Sequence, residues 1–450
     1  MKKMTAGIPA RGPSLSPTVF RKRRSDLLDW LDPDVAVIVP AATETVRNRD
    51  VHHPFRQDSD FAYLTGFYEP DAWLVLVPGH DTGEHWLFCR ARDPEREIWD
   101  GRRLGPEGVV ERLGFDAAQS LDRIDDQMPD LLAGRRVVCA PWGERNAVDQ
   151  RLFGWIRALA ARRRDGPKAP EVYTSLSRVL HEMRLFKSKE EVDAMRFAAR
   201  VSGLAHRRAM QGVRPGLLES AVEAVFWQTF REHGLVPAYP PIVGGGENAC
   251  ILHYTENDAV LRDGDLLLID AGGEWLGYAA DITRSFPVSG RFSPAQRDVC
   301  EIVLAAQLAA IEAVAPAKHW NDPHETAVRV LTEGLVTLGV LQGDVDALFE
   351  DEAYKPYYMH RTGHWLGLDV HDVGDYRIDG VWRELEPGMV LTVEPGLYFG
   401  PHLTGLPEAL RGIGVRIEDD VLVTREGREV LTTDCPKAPA EIEALMAGED

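Results

Sequence analysis

Residues 261–272 read LRDGDLLLIDAG and residues 385–396 read LEPGMVLTVEPG, two copies of one twelve-residue pattern. They share the leading leucine (Leu261, Leu385), the turn glycine (Gly264, Gly388), an interior leucine (Leu267, Leu391) and the closing glycine, and Asp270 falls on Glu394. Each copy is a turn, an apolar run of strand length and an acid at its end. A chain that repeats one supersecondary unit builds two halves, and acids at equivalent strand ends then converge between them. Acids brought together repel unless a positive charge, most often a metal ion, sits among them.

An acid followed by glycine also ends a strand in an ordinary turn, but the surroundings of both copies argue for more. Downstream of the first comes Asp281 within YAADITR, and downstream of the second comes Glu418 within GVRIEDD, each in a strand-like run. Between the copies lies HRTGHWLGLDVH, with His360, His364 and His371 in twelve residues. Asp270, Asp281, Glu394 and Glu418 are hard oxygen ligands and His364 a borderline nitrogen, a set that suits Mn²⁺ or Mg²⁺ better than structural zinc. Four carboxylates carry a charge that one divalent ion leaves unbalanced and two cancel. The chemistry implied is hydrolysis by hydroxide held between two metals. His253, His360 and His371 are placed to hold a substrate carbonyl or donate to a tetrahedral intermediate. The other histidines, His206 and His324 among them, are read as structural.

At 450 residues the chain is long for one domain, and its net charge of −20 argues against nucleic acid or an anionic membrane as partner. The basic run 21–24 reads as the solvated start of a helix. The N-terminus has no apolar core of a secretory signal, and no apolar stretch approaches membrane-spanning length. Five scattered cysteines, never spaced C-x-x-C, fit free thiols in a reducing cytoplasm. Sequence motifs for a serine nucleophile elbow, a Walker A loop and an H-E-x-x-H zinc helix are absent.

Along the chain, residues 1–18 read as a flexible tail, 19–178 as an α/β domain, and 179–450 as an α+β domain. Strands are expected at 35–39, 73–77, 86–89 and 137–140, and a helix at 152–161. Residues 164–170 supply the linker signal. In the second domain a helix is expected from 189 to 210. Two more announce their starts with Ser293-Pro294 and Asp322-Pro323. The expected picture is a central antiparallel sheet, helices outside, metals inside. Gly244–Gly246 reads as a flexible loop on the substrate side.

The stretches GGGENACILHY, LLLIDAGGEWLGYAADITRSFPVSG, HWLGLDVHDVG, LTVEPGLY and GVRIEDD resemble the proline-specific aminopeptidase P family of pita-bread metallopeptidases. The resemblance extends into the first domain through HHPFRQDSDFAYLTGF and REIWDGRRLG. It implies a pita-bread catalytic domain with internal pseudo-two-fold symmetry and two divalent ions per subunit, usually Mn²⁺, on Asp270, Asp281, His364, Glu394 and Glu418. It further implies that Glu394 assists proton transfer, that His253, His360 and His371 face substrate, and that Arg416 lies just behind the acids. Asp50 and Trp99 match positions that reach a neighbouring subunit's active site and bind substrate there, which would make a homodimer or homotetramer. The activity implied is release of the residue before a penultimate proline. A dipeptidase needing a free carboxylate after proline is the close rival, kept alive by Arg361 where many members have a small residue. A metal-free binding module or creatinase-like hydrolase would lack several of the five ligand matches, all of which are filled here.

Overall fold

The structure, a computed structural model, describes residues 8–162 and 166–449. The chain divides into two compact units, Leu15–Arg184 and the remainder from Leu185, to which the segment ending at Ser14 also belongs. The expected tail therefore splits. Residues 1–7 lie outside the described residues, the Pro13 carbonyl accepts from the Trp275 indole at 2.7 Å, and a helix already starts at Pro17 under a Ser16 cap. The expected linker at 164–170, of which 164 and 165 lie outside the described residues, does not end the first unit. Val172–Ser175 beyond it still pairs with Val137–Ala140. The first unit closes only at Arg184, whose guanidinium is held by Asp60 at 2.7 Å.

The first unit is a six-stranded mixed sheet wrapped by helices. Its order is Ala117–Ser120, His85–Cys89, Trp73–Leu76, Val35–Pro40, Val137–Ala140 and Val172–Ser175, antiparallel at the two central pairings and parallel outside them. Val35–Pro40 is buried along its whole length, as an apolar strand covered on both faces must be. The basic run departs from expectation. Arg23 and Arg24 are buried, each guanidinium about 4 Å from an aromatic ring centre, Tyr63 and Phe115, and each donates to a carbonyl of the next helix.

The second unit repeats a plan: a helix pair, then an antiparallel sheet ending in acids. The first pair is Lys189–Gly212, opened by a full capping box of Ser188 and Glu191, and Glu219–Glu232. Its sheet is Ile242–Gly245, Leu266–Asp270 and Thr283–Pro287. The second pair is Pro294–Ala313, with the expected Ser293/Gln296 box, and Asp322–Thr337. Its sheet is Val390–Val393, Asp419–Thr424 and Gly427–Val430. The repeated glycines are at φ 86° and 99°, backbone that favours residues without a Cβ, so both turns need them. Leu267 and Leu391, 0 % and 2 % exposed, anchor the two strands, each worth roughly 2 kcal/mol of burial.

Three expectations change. The two half-sheets are not one continuous ladder. They meet where Glu418 N–H donates to the Thr283 carbonyl at 3.1 Å and the Ser285 hydroxyl brackets the Arg416 backbone. The glycine run is no loop. Gly244 and Gly245 pair in register with Leu268 and Leu267, and a Cβ on Gly244 would sit 2.8 Å from the Asn248 carbonyl oxygen. The helix at Asp322 is capped by Asn321 without a side-chain cap bond, because the Asn321 amide is turned to Arg361 and Glu325.

Candidate metal centre

Asp270 ends its strand opposite Thr283, and Glu394 follows directly on Val393, which pairs with Asp419. Asp281 and Glu418 were expected inside strands. Each instead lies just ahead of one, in the short connections before Thr283 and Asp419, so that their side chains are not committed to a sheet face. The two copies thus deliver their acids to one place. Ligand atoms of Asp281, His364 and Glu418 all lie within 4.8 Å of one another. Asp270, Glu394, His253, His360, His371 and Arg416 line the same cavity of about 540 Å³.

Hydrogen bonds fix each group. The Tyr239 hydroxyl reaches Asp270 Oδ1 at 2.6 Å and Asp281 Oδ1 at 2.5 Å, one proton between two carboxylates. Arg416, from the second half, donates to Asp270 Oδ2 in the first at 2.7 Å, and also to the Tyr398 and Thr283 hydroxyls. Thr283 in turn donates to Glu418 Oε2 at 2.7 Å. His364 Nδ1 donates to the Trp365 carbonyl at 2.9 Å, which aims Nε2 at Asp281 Oδ2, 3.4 Å away, and Glu394 Oε1, 3.8 Å away. An imidazole held through one nitrogen by a carbonyl presents the other as a ligand. His360 Nε2 meets the Tyr398 hydroxyl at 2.8 Å, and the His371 ring lies 4.2 Å from that of His364.

The electrostatics call for a cation. Burial lifts the Asp270 carboxyl to about 6, with Asp281 adding and Arg416 opposing, and lifts Glu394 to about 7. Glu418 and Asp420 are raised well above the carboxylate range, by burial first and Asp281 next. Asp281 alone is lowered, since its bonds to His364 and Tyr239 outweigh its burial. His364 is raised to about 9 because Asp281 and Glu394 overcome the effect of burial. Burial, with Arg416 behind it, holds His360 neutral at about 3. Three buried acids, Asp281, Glu418 and Asp420, and two partly buried ones, Asp270 and Glu394, with one imidazole, make a donor set that fits hard divalent ions.

Metal loading should therefore displace a proton from His364 below about pH 9 and further protons from Glu394 and Asp270 below about pH 7 and 6, so affinity should weaken as pH falls below about 9 and more steeply below about 7. Titration calorimetry in buffers of different ionisation heat counts the protons. Heats independent of buffer would place the metal elsewhere.

Several site-building residues carried no sequence signal. Tyr239 lies in a proline-rich stretch without a motif, and Asp420, which accepts from Asp281 N–H at 3.2 Å, was masked by its two acidic neighbours. Glu219, fully buried, accepts from Gly245 N–H, the Asn248 amide, the Tyr254 hydroxyl and Ala259 N–H at 2.8–3.1 Å. It thus ties down the segment that carries His253. Glu219→Ala should cost on the order of 3 kcal/mol by leaving those donors unpaired, and should speed amide exchange across 245–259. Unchanged exchange there would show that Glu219 does not organise the segment. His324, read as structural, sits behind the site with its Nδ1 at 2.8 Å from the Thr362 hydroxyl. Asp50 and Trp99 lie on the first unit, exposed, Trp99 at 84 %, and neither lines the cavity.

Two family patterns match the chain: metallopeptidase family M24 over residues 193–425, and the aminopeptidase P N-terminal domain over residues 20–139. The chain is 48% identical over 429 residues to the Xaa-Pro aminopeptidase of Escherichia coli strain K12, covering 95% of this chain and 97% of that one. Among solved structures it is similar to Pseudomonas aeruginosa aminopeptidase PepP, with TM-score 0.96, 54% identity, and 96% and 98% of the two chains covered. It is also similar to E. coli aminopeptidase P with the inhibitor Pro-Leu, with TM-score 0.94, 46% identity, and 97% and 99% covered.

Proposed function

The chain belongs to metallopeptidase family M24, joined to the N-terminal domain of aminopeptidase P, and from that premise we propose that it is an Xaa-Pro aminopeptidase. It is a metal-dependent hydrolase. Its substrates are peptides with proline second, from which it releases the first residue. The observation that carries this reading is the convergence of both repeats' acids and His364 on one cavity, in a chain similar over nearly its whole length to an Xaa-Pro aminopeptidase.

Asp270, Asp281, His364, Glu394 and Glu418 are the groups that would hold two divalent ions, and the all-oxygen-plus-imidazole set favours Mn²⁺. When bound, the ions supply Lewis-acid activation of water and of the scissile carbonyl. Glu394, at the cavity wall, takes the proton of the attacking water and passes it to the departing proline nitrogen. Burial, with Arg416 behind it, holds His360 neutral, and its two nitrogens are taken by the Arg361 carbonyl and the Tyr398 hydroxyl, so it serves as a fixed, uncharged ring against which substrate is positioned. His253 and His371 line the approach and orient the peptide. An Xaa-Pro bond is a tertiary amide without an N–H, so a site that grips the carbonyl and the free N-terminus suits it.

Exposed Trp99 and Asp50 support a homo-oligomer in which the first unit reaches a neighbouring subunit. All five cysteines are free, four of them buried, which favours the reducing cytoplasm. Among the described residues no helix is long and apolar enough to cross a membrane.

The test is a side-by-side assay of Mn²⁺-loaded protein on an Xaa-Pro dipeptide and an Xaa-Pro-Xaa tripeptide. Release of the first residue from the tripeptide is expected. Cleavage confined to the dipeptide would make the protein a dipeptidase instead.

A further inference from the structure

Besides its acids and histidines, the cavity is lined by apolar and aromatic side chains, Leu252, Trp320, Tyr376 and Trp382, and by Arg361. Trp382 lies on a hairpin whose strands, Arg377–Ile378 and Val381–Trp382, pair Arg377 directly with Trp382. Asp379 and Gly380 at its tip are at φ 51° and 84°, the tight turn that an Asp-Gly pair favours. Pairing puts the Arg377 guanidinium 3.8 Å from the Trp382 ring centre, and Arg361 approaches the same ring at 5.1 Å.

Two cations thus share one indole. In a chain of net charge −20, neither has an ion-pair partner among the described residues. Arg361 is held instead by a neutral group, the Asn321 carbonyl oxygen, and Asn321 gives up its own helix cap to do so. Both arginines are exposed; Arg361 and Trp382 line the cavity, and Arg377 joins them through the ring they share. Stacking on an aromatic fixes the plane of a guanidinium and leaves its edge free for a planar anion.

Arg361 is three residues from His364, at most about 11 Å of chain. Arg361 therefore stands no farther along the chain from the site than two or three extended peptide residues would reach.

We propose that Arg361 and Arg377, stacked on Trp382, form a carboxylate-recognition site at the cavity mouth that makes short peptides with a free carboxylate the preferred substrates. The inference rests on the peptidase reading above. A carboxylate reaches this site from the C-terminus of a short peptide or from an acidic side chain. Charge-assisted, bidentate bonds to guanidinium give it strength beyond plain attraction.

The test compares kcat/KM of the Mn²⁺-loaded full chain on alanyl-prolyl-alanine, on its C-terminal amide, and on the amide with glutamate as third residue. The wild type should prefer the free acid to the amide by about tenfold at low salt, and less at about 0.5 M salt. R361M and R377M should each reduce that ratio several-fold, and R361K should retain part of it. Preference confined to the free acid assigns the chain terminus as the source. Preference regained by the glutamyl amide assigns an acidic side chain, and either result supports the site. Equal rates on acid and amide in the wild type, or variants that slow both equally, would overturn it while leaving the peptidase intact. Wild-type failure on all three peptides would overturn the peptidase reading and this proposal with it.

Discussion

Replacing Asp281 by asparagine is expected to lower turnover on the order of 10³-fold and to strip metal from the purified protein. Asp281 is the one acid in the cluster held ionised without help from metal, through Tyr239 and His364. It is also in the group of three whose ligand atoms lie closest together. The amide removes one negative charge and turns an acceptor into a donor facing Tyr239 and His364 Nε2. Metal content by mass spectrometry and kcat should fall together. Full metal content with undiminished kcat would remove Asp281 from the site.

The second large effect concerns the framework. Asp419 is 1 % exposed and accepts from Arg284 at 2.7 Å, Gln307 at 2.8 Å, Thr432 at 2.7 Å and Lys437 at 2.6 Å. Arg284 is itself fully buried. Asp419→Ala leaves that guanidinium without its counter-charge, which typically costs about 3–5 kcal/mol and should lower the melting temperature by roughly 10 °C. Burial alone would raise Asp419, but Arg284 and Lys437 hold it at about 2, below its unfolded value. Its stabilisation is therefore complete above about pH 4 and disappears as pH falls toward 2. A loss under about 1 kcal/mol in Asp419→Ala would mean that Arg284 finds another partner.

What could be read from the sequence was whatever is local. The turn glycines, the acids at strand ends and the Ser293 capping box each announce themselves within a dozen residues. So does the spacing of His360, His364 and His371. Tyr239, Glu219 and the Asn321–Arg361 contact could not be read that way, because each acts on residues 26 to 42 positions away and belongs to no motif. Gly244–Gly246 misled for a related reason. Glycine-rich sequence suggests freedom, but here the missing side chains permit a close backbone approach that only the fold reveals. Arg23 and Arg24 looked solvated because their partners, Tyr63 and Phe115, lie in other elements.

Arg416 donates to Asp270 from 146 residues away, and Thr283 to Glu418 from 135. Contacts that distant in sequence form only after long stretches of chain have closed, and closing them brings together acids that repel. The unfolded chain therefore offers no ready-made cage for an ion, and neither repeat could assemble one alone. Metal is therefore expected to enter only after the two halves have docked and then to fasten them, so its removal should loosen the seam before anything else gives way.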